Sequence, residues 1–329
     1  MSEMDIPATL EGRSGHGVER CRGRSLFGTC DDPLVAAQAR LLELGDVAAQ
    51  RHLTDIGSGC IHHLELGGGR PLVLLHGAGG GGANWYRLMG PLSSDRRVLA
   101  PDLPGFAFSD PMPLRVPLGR AVADAIGRWL RAVVPDGCDI AATSFGGLVA
   151  LRLAQGRPVP IGRIALIDTV GLGPDLPWTV RLAATRSGGA LLLRRSTRAG
   201  IRAQLRLLMT SDRLRREHED ALVDYLHASS NASGPREFAR ALNLFCGLRG
   251  QVEVLGDAEL RGMDLPVLIA WGERDRFLPV AHARRAVRLL PDARLVLIRG
   301  AGHSPNWERP DRLLDELRPF FDSDAAVSA

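Results

Sequence analysis

A serine, a histidine and an aspartate stand in this chain where acyl chemistry would use them. Cys138 to Thr143 is an apolar, strand-like run that meets Ser144, Phe145, Gly146 and Gly147, and a helical pattern follows from Leu148 to Ala154. A strand that turns this sharply into a helix lifts a serine hydroxyl above a sheet, the layout of a nucleophile elbow. Strand and helix pass close at such a turn, so small residues are needed, and Ala142, Gly146 and Gly147 supply them. The usual spacing is Gly-x-Ser-x-Gly; Ala142 takes the first position here. A free hydroxyl is a weak nucleophile and needs a base within hydrogen-bond reach. His303, in Gly300-Ala-Gly-His-Ser-Pro305 after the apolar run Leu295–Ile298, is the candidate base. Asp275, in Gly272-Glu-Arg-Asp275 after the apolar run Val267–Trp271, is the candidate group that would fix one imidazole tautomer and stabilise the imidazolium. Alone, Asp275 would pass for a turn aspartate and His303 for a surface-loop histidine.

Upstream, Pro71–Leu75 reads as a buried strand that ends in His76-Gly-Ala-Gly79 and continues through Gly80, Gly81 and Gly82. A glycine-rich loop bares backbone N–H groups, which suits one half of an oxyanion hole. The N–H of Phe145 is the first expected donor. The second comes from Ala78 or Gly79, and the sequence does not choose between them.

These motifs resemble the α/β-hydrolase family of the serine type, over about residues 55–322. The resemblance rests on His76-Gly-Ala-Gly79, Asp102-Leu-Pro-Gly105, Ser144-Phe-Gly-Gly147, Trp271-Gly-Glu-Arg-Asp275 and Gly302-His303. The order Ser144, Asp275, His303 is that family's order and differs from the other two serine-triad orders. The resemblance implies that His76 braces the glycine loop and that Asp102 forms the turn after strand 97–101. It also makes Asp168 a rival acid, because some relatives carry the acid there. Dehalogenases and epoxide hydrolases of this fold place an aspartate at the elbow, so Ser144 argues against both. Asn84-Trp85 and Asn306-Trp307-Glu308, with the glycine loop, partly resemble carbon–carbon hydrolases of ring-fission products. The elbow Ala-Thr-Ser-Phe-Gly departs from the Gly-x-Ser-Met-Gly of that group.

The elements that must position these groups alternate. Strands are predicted at 60–66, 71–75, 97–101, 138–143, 163–168, 266–271 and 294–299. The clearest helix is 118–133, where Leu118, Ala121, Val122, Ala125, Ile126, Trp129, Leu130 and Val133 recur on one face. The predicted fold class is therefore α/β, a mostly parallel sheet with helices on both faces. Ligands of such sheets sit at the carboxyl ends of the strands, where Ser144, Asp275, His303 and the 76–82 loop all fall. Residues 174–262 break the alternation with helical patterns at 187–209, 213–227 and 235–248, and are expected to form a helical cap that sets substrate choice. The cap's many arginines, among them Arg198, Arg202 and Arg206, read either as a grip on an acidic substrate or as a solvated face. Trp178, Leu242, Leu244 and Phe245 read as pocket lining or helix packing. The core is expected at 51–173 and 263–322, with a partly disordered extension at 1–50 and a tail at 323–329. Within the extension, residues 1–33 read as mobile and 34–51 as a short helix.

Bulk properties narrow the class. A content of 45% hydrophobic and 24% charged residues is that of a globular protein. The net charge of +4 comes without a basic block interleaved with aromatics, so no nucleic-acid partner is expected. No apolar run reaches membrane-span length, and the N-terminus lacks a signal-peptide pattern. The five cysteines form no CxxC pair, so neither a metal nor a redox motif is indicated and a reduced, cytoplasmic setting is expected. The expectation is a serine hydrolase that needs no cofactor and opens a carboxylic ester or lactone through an acyl-enzyme. The alternatives are a carbon–carbon hydrolase of ring-fission products, a lyase or acyl transferase on the same triad, and a binding protein that keeps the fold. The expected partner is a small acyl substrate; the oligomeric state is open.

Overall fold

The apolar runs read as strands lie side by side in one sheet. The computed structural model describes residues 32–113, 117–183, 197–210, 214, 216–232 and 246–323. The chain enters through helix α1 (Pro33–Leu44) and the strands β1 (Gln50–Asp55), β2 (Cys60–Leu66) and β3 (Arg70–Leu75). A 3₁₀ turn (Gly82–Trp85), helix α2 (Tyr86–Leu92), strand β4 (Arg96–Pro101) and helix α3 (Leu118–Val133) follow. Strand β5 (Cys138–Thr143), helix α4 (Phe145–Gly156) and strand β6 (Ile161–Ile167) carry the elbow and the next crossover. Helices α5 (Trp178–Ala183), α6 (Arg198–Leu208) and α7 (Arg216–Ala232) come next, then the short strands β7 (Cys246–Gly247) and β8 (Gly250–Gln251). Helix α8 (Asp257–Arg261), strand β9 (Val267–Gly272), helix α9 (Val280–Leu289), strand β10 (Ala293–Ile298) and helices α10 (Pro305–Glu308) and α11 (Pro310–Asp322) complete the described chain.

The eight-stranded sheet has the order β1-β2-β4-β3-β5-β6-β9-β10. β1 and β2 are antiparallel, as are β2 and β4; every later pairing is parallel. β5 is buried along its whole length, because helices cover both faces there. On one face α3 and α4 pack through Ile126, Trp129, Leu148 and Leu151. On the other, Leu41 of α1, Trp85, Tyr225 of α7 and Phe321 of α11 share a core. Burial of each such side chain contributes about 1.5–3 kcal/mol. The apolar face predicted for 118–133 is the buried face of α3, apart from Ala121 and Val133, which are partly buried.

Three expectations are corrected. The helix read across 34–51 stops at Leu44, and Gln50–Asp55 is an edge strand instead. Gly45 lies so close to the backbone of Tyr86 that an added Cβ would sit 2.3 Å from its carbonyl oxygen, and Asp46 turns the chain away at φ 52°. The polar sequence of β1 carries no period of its own; pairing with β2, His52 opposite His63, makes it a strand. The helix read over 235–248 does not reach its end, since Cys246 and Gly247 pair with Gln251 and Gly250; residues 235–245 lie outside the described residues. Finally, Cys138 and Cys246 are free and buried, but Cys60 is disulfide-bonded, against the all-reduced expectation.

The described arginines of α6 face α7. Arg198 pairs with Asp224, Arg202 with Asp220 and Glu219, and Arg206 with Glu219. They join two helices rather than standing free for a substrate, each exposed pair contributing up to about 1 kcal/mol. α1 packs on α7, so the segment before the sheet supports the helices inserted between β6 and β9. No helix of the described residues is long and apolar enough to cross a membrane.

Two glycines of α4 separate close packing from simple helix propensity. A Cβ on Gly146 would lie 2.5 Å from the carbonyl oxygens of Leu75 and His76, whereas one on Gly156 would meet nothing within 4 Å. Gly146→Ala should destabilise by about 1–3 kcal/mol or more, and Gly156→Ala should stabilise by about 0.5–1 kcal/mol. Urea unfolding of the two variants checks the opposite signs.

Candidate active site

Ser144 stands between β5 and α4 with φ 51° and ψ −118°, a conformation that side-chain-bearing residues rarely adopt. Contacts on every side hold it there. Its N–H donates to the Ile167 carbonyl at 3.0 Å, and its own carbonyl accepts from Gly147 and Val170 at 3.0 and 3.2 Å. Gly147 leaves no room for a side chain, since a Cβ would sit 2.3 Å from Thr169 Oγ1. The glycine loop passes over the serine at Gly77, where a Cβ would be 3.1 Å from Ser144 Cβ and 3.6 Å from Oγ. Ala78 and Gly79 follow directly, with Gly79 at φ 90°, and Phe145 opens α4. The two segments expected to supply oxyanion donors therefore flank the hydroxyl.

His303 Nε2 lies 3.2 Å from Ser144 Oγ, and His303 Nδ1 lies 2.8 Å from Asp275 Oδ2. Asp275 Oδ1 accepts from the backbone N–H groups of Phe277 and Leu278 at 2.7 and 3.0 Å. The Phe277 ring packs against the imidazole with centroids 4.8 Å apart. The rival acid Asp168 stands behind Asp275: it accepts from Gly272 N–H at 2.8 Å, and its carboxyl comes within 4.8 Å of that of Asp275. Burial, then the nearby Asp275 charge, pushes the Asp168 carboxyl well above the usual carboxylate range. Glu273 points elsewhere, accepting from Gly300 N–H at 3.2 Å.

His76 and Asp102 brace the loops. His76 Nε2 accepts from Leu103 N–H at 2.8 Å while Nδ1 meets the Gly77 carbonyl at 2.7 Å, and burial keeps the ring neutral by lowering its pKa. Asp102 accepts from Gly82 and Phe108 N–H and pairs with His62 Nδ1 at 2.8 Å. Burial would raise this carboxyl, but the His62 pairing and the Gly82 N–H outweigh it and hold it below its ordinary value.

Sequence reasoning missed the work of Glu308. Its buried carboxylate accepts from Gly302 and Ser304 at 2.9 and 3.3 Å and from Thr210 at 2.9 Å, tying the His303 loop to the chain after α6. His303 N–H itself donates to the Leu208 carbonyl of α6 at 2.9 Å. No sequence signal marks a partner more than ninety residues away. The neighbouring Asn306 and Trp307 donate to the Asn84 carbonyl at 3.4 and 2.8 Å, so this motif locks two loops together. Trp178 is 72% exposed. Leu242, Leu244 and Phe245 lie outside the described residues.

Two groups of described residues could bring three ligand atoms together: His52, His63 and Glu65, and Asp168, Asp275 and His303. In the first, Trp129 Nε1–H donates to His63 Nδ1 at 3.3 Å, so the ring proton sits on Nε2 and faces Glu65 at 3.6 Å. That nitrogen then has no lone pair for a metal, and both Glu65 oxygens are taken by Arg97. In the second, His303 Nδ1 is already committed to Asp275.

Comparison with known proteins agrees with this geometry. The alpha/beta hydrolase family model matches residues 72–316, and the chain belongs to that family. It is 28% identical to a 2-hydroxy-6-oxo-6-phenylhexa-2,4-dienoate hydrolase of Burkholderia cepacia, over 76% of this chain and 87% of that one. It is 32% identical to a pimeloyl-[acyl-carrier protein] methyl ester esterase of Aromatoleum aromaticum, over 73% of this chain and 93% of that one. Among solved structures, the 2-hydroxy-6-oxo-6-phenylhexa-2,4-dienoate hydrolase of Rhodococcus sp. strain RHA1 superposes with a TM-score of 0.72. That match covers 84% of this chain and 99% of the other at 23% identity, a likeness of fold.

Gly77 tests the loop's approach to Ser144. Gly77→Ala places a methyl group against the hydroxyl, so kcat/KM on an activated ester should fall by about 10²-fold. The melting temperature should change by only a few degrees, because the neighbouring side chain can give slightly. Steady-state kinetics alongside thermal melts check the split.

Proposed function

We propose that this protein is a serine hydrolase that opens a carboxylic ester or lactone through an acyl-enzyme on Ser144. The observation that carries the reading is the single hydrogen-bonded line from Ser144 Oγ through the two nitrogens of His303 to the buried Asp275 carboxylate. Ser144 Oγ attacks the carbonyl carbon while its proton passes to His303 Nε2. The developing oxyanion is met by the N–H of Phe145 and that of Ala78 or Gly79. His303 returns the proton to the leaving alkoxide, which departs as alcohol. Water then attacks the acyl group, giving its proton to His303; the acid leaves and Ser144 regains its hydrogen. Asp275 holds the Nδ1–H tautomer and stabilises the imidazolium throughout. The chain needs no cofactor for these steps, since nucleophile, base and oxyanion donors are its own.

The segment 174–262 is part of this proposal as a helical cap over the strand ends. Its contacts with the site loops support that role: Leu208 O receives His303 N–H, and Ser229 Oγ donates to Gly80 O at 3.3 Å. The Tyr225 hydroxyl closes on Gly81, where a Cβ would sit 2.3 Å from it. A second reading is hydrolysis of a carbon–carbon bond in a ring-fission product, favoured by the relative that bears a dienoate hydrolase name. Of the residues that carry this likeness, Asn306 and Trp307 are used in holding the Asn84 backbone carbonyl.

A fluorophosphonate probe should label the wild type at Ser144 and leave Ser144→Ala unlabelled; labelling that persists in the variant removes the assignment. Asp275→Asn should lose about 10⁴-fold in kcat by favouring the wrong tautomer. Burst release from a chromogenic ester, set beside turnover of a ring-fission dienoate, decides between the two readings: a kcat/KM higher on the dienoate by about tenfold or more selects the carbon–carbon reaction.

A further inference from the structure

Two buried carboxylates stand behind His303, and the proposed chemistry uses one. Atoms of Asp168, Asp275 and His303 all lie within 4.8 Å of one another. Asp168 ends β6 with φ 43°, its side chain fully buried, its N–H on the Ala270 carbonyl at 3.1 Å. Its second oxygen, Oδ2, has no hydrogen-bond partner among the described residues, and its carboxyl comes within 4.8 Å of that of Asp275. Two carboxyl groups this close and both shielded from water repel when both are ionised, so one of them holds a proton.

The donors around each group decide which one. Asp275 accepts from two backbone N–H groups and faces the His303 ring nitrogen. Asp168 Oδ1 accepts from Gly272 N–H, and among the described residues no donor reaches Oδ2. The Glu308 carboxylate adds negative charge on the Asp168 side. Hydrogen bonds to a carboxylate favour its charge, and burial without them disfavours it. The charge therefore belongs on Asp275 and the proton on Asp168.

We propose that Asp168 is a positioning residue: as a neutral acid it donates a hydrogen bond to Asp275 and holds that carboxylate against His303. The inference rests on the proposed Ser144–His303–Asp275 line. Removing the donor leaves the Asp275 anion less satisfied, so it pairs more strongly with the imidazolium and His303 deprotonates at higher pH. The titratable groups that face this pair are His303 from the loop after β10, Glu308 from α10 and His282 from α9.

Asparagine separates a neutral donor from a charge. Its oxygen can take Gly272 N–H, its amide can donate to Asp275, and it tolerates positive φ. The test is the rate of Ser144 phosphonylation against pH, followed with a fluorophosphonate, for the wild type, Asp168→Ala and Asp168→Asn, with melts for each. Asp168→Ala is expected to react about tenfold or more slowly, with the acidic limb of the profile moved upward by about half a pH unit or more. Asp168→Asn is expected to restore both the rate and the limb. A limb that moves downward in Asp168→Asn overturns the proposal, because removal of a negative charge would then have been the effect. So does an Asp168→Ala profile that matches the wild type, or a lower melting temperature in both variants with no movement of either limb. If Asp168→Ala does not fold, the position of the Asp168→Asn limb still decides between a neutral and an ionised Asp168. A wild type that is not phosphonylated at Ser144 would overturn the nucleophile itself, and this inference with it, before any Asp168 variant is compared.

Discussion

The close approach of α4 to β3 is the constraint on which this site depends. Ser144 sits in a backbone conformation that persists only because its surroundings over-determine it. Gly146 lies against the carbonyls of Leu75 and His76, Gly147 against Thr169, and Gly77 against Ser144 itself. Three glycines in two segments thus allow a helix, a strand end and a loop to meet within van der Waals distance. The hydroxyl is thereby presented at the carboxyl end of a fully buried strand, with two potential oxyanion segments beside it.

Around that point the site is assembled from loops, and buried polar groups fix each one. His76 and Asp102 tie the glycine loop to the turn after β4 and to β2. Glu308 gathers three N–H groups, two from the His303 loop and one from Thr210. Because the His303 N–H also rests on the Leu208 carbonyl, the imidazole is held partly by the core and partly by the helices between β6 and β9. Those helices are in turn propped by α1, which brings the segment before the sheet into the support of the site.

Family membership makes the chain a hydrolase without fixing its substrate. The similar chains include an enzyme named for a methyl ester and one named for a dienoate. Both reaction types begin with a carbonyl that must be polarised and attacked, which is the demand that the proposed roles of the loops around Ser144 address. Features that suggested particular substrates prove to be structural: the α6 arginines pair with α7 acids, and Asn306 and Trp307 hold Asn84.

The sequence by itself determined the fold class, the strand order along the chain and the candidates Ser144 and His303, with Asp275 ahead of Asp168 for the acid. Each is a local signal: apolar runs of strand length, glycines where backbones touch, and polar residues just past strand ends. β1 and the end of α1 were not legible, because a polar edge strand is defined by its partner rather than by its own period. Nor was the choice between Asp275 and Asp168, since both follow buried strands and only the folded chain shows which carboxylate meets the imidazole. Glu308 escaped for the same reason: its hydrogen bonds to Thr210 and to the His303 loop join segments that meet only in three dimensions. Tertiary structure decided what long-range proximity decides, namely which acid meets the imidazole, which loop is braced and by which partner.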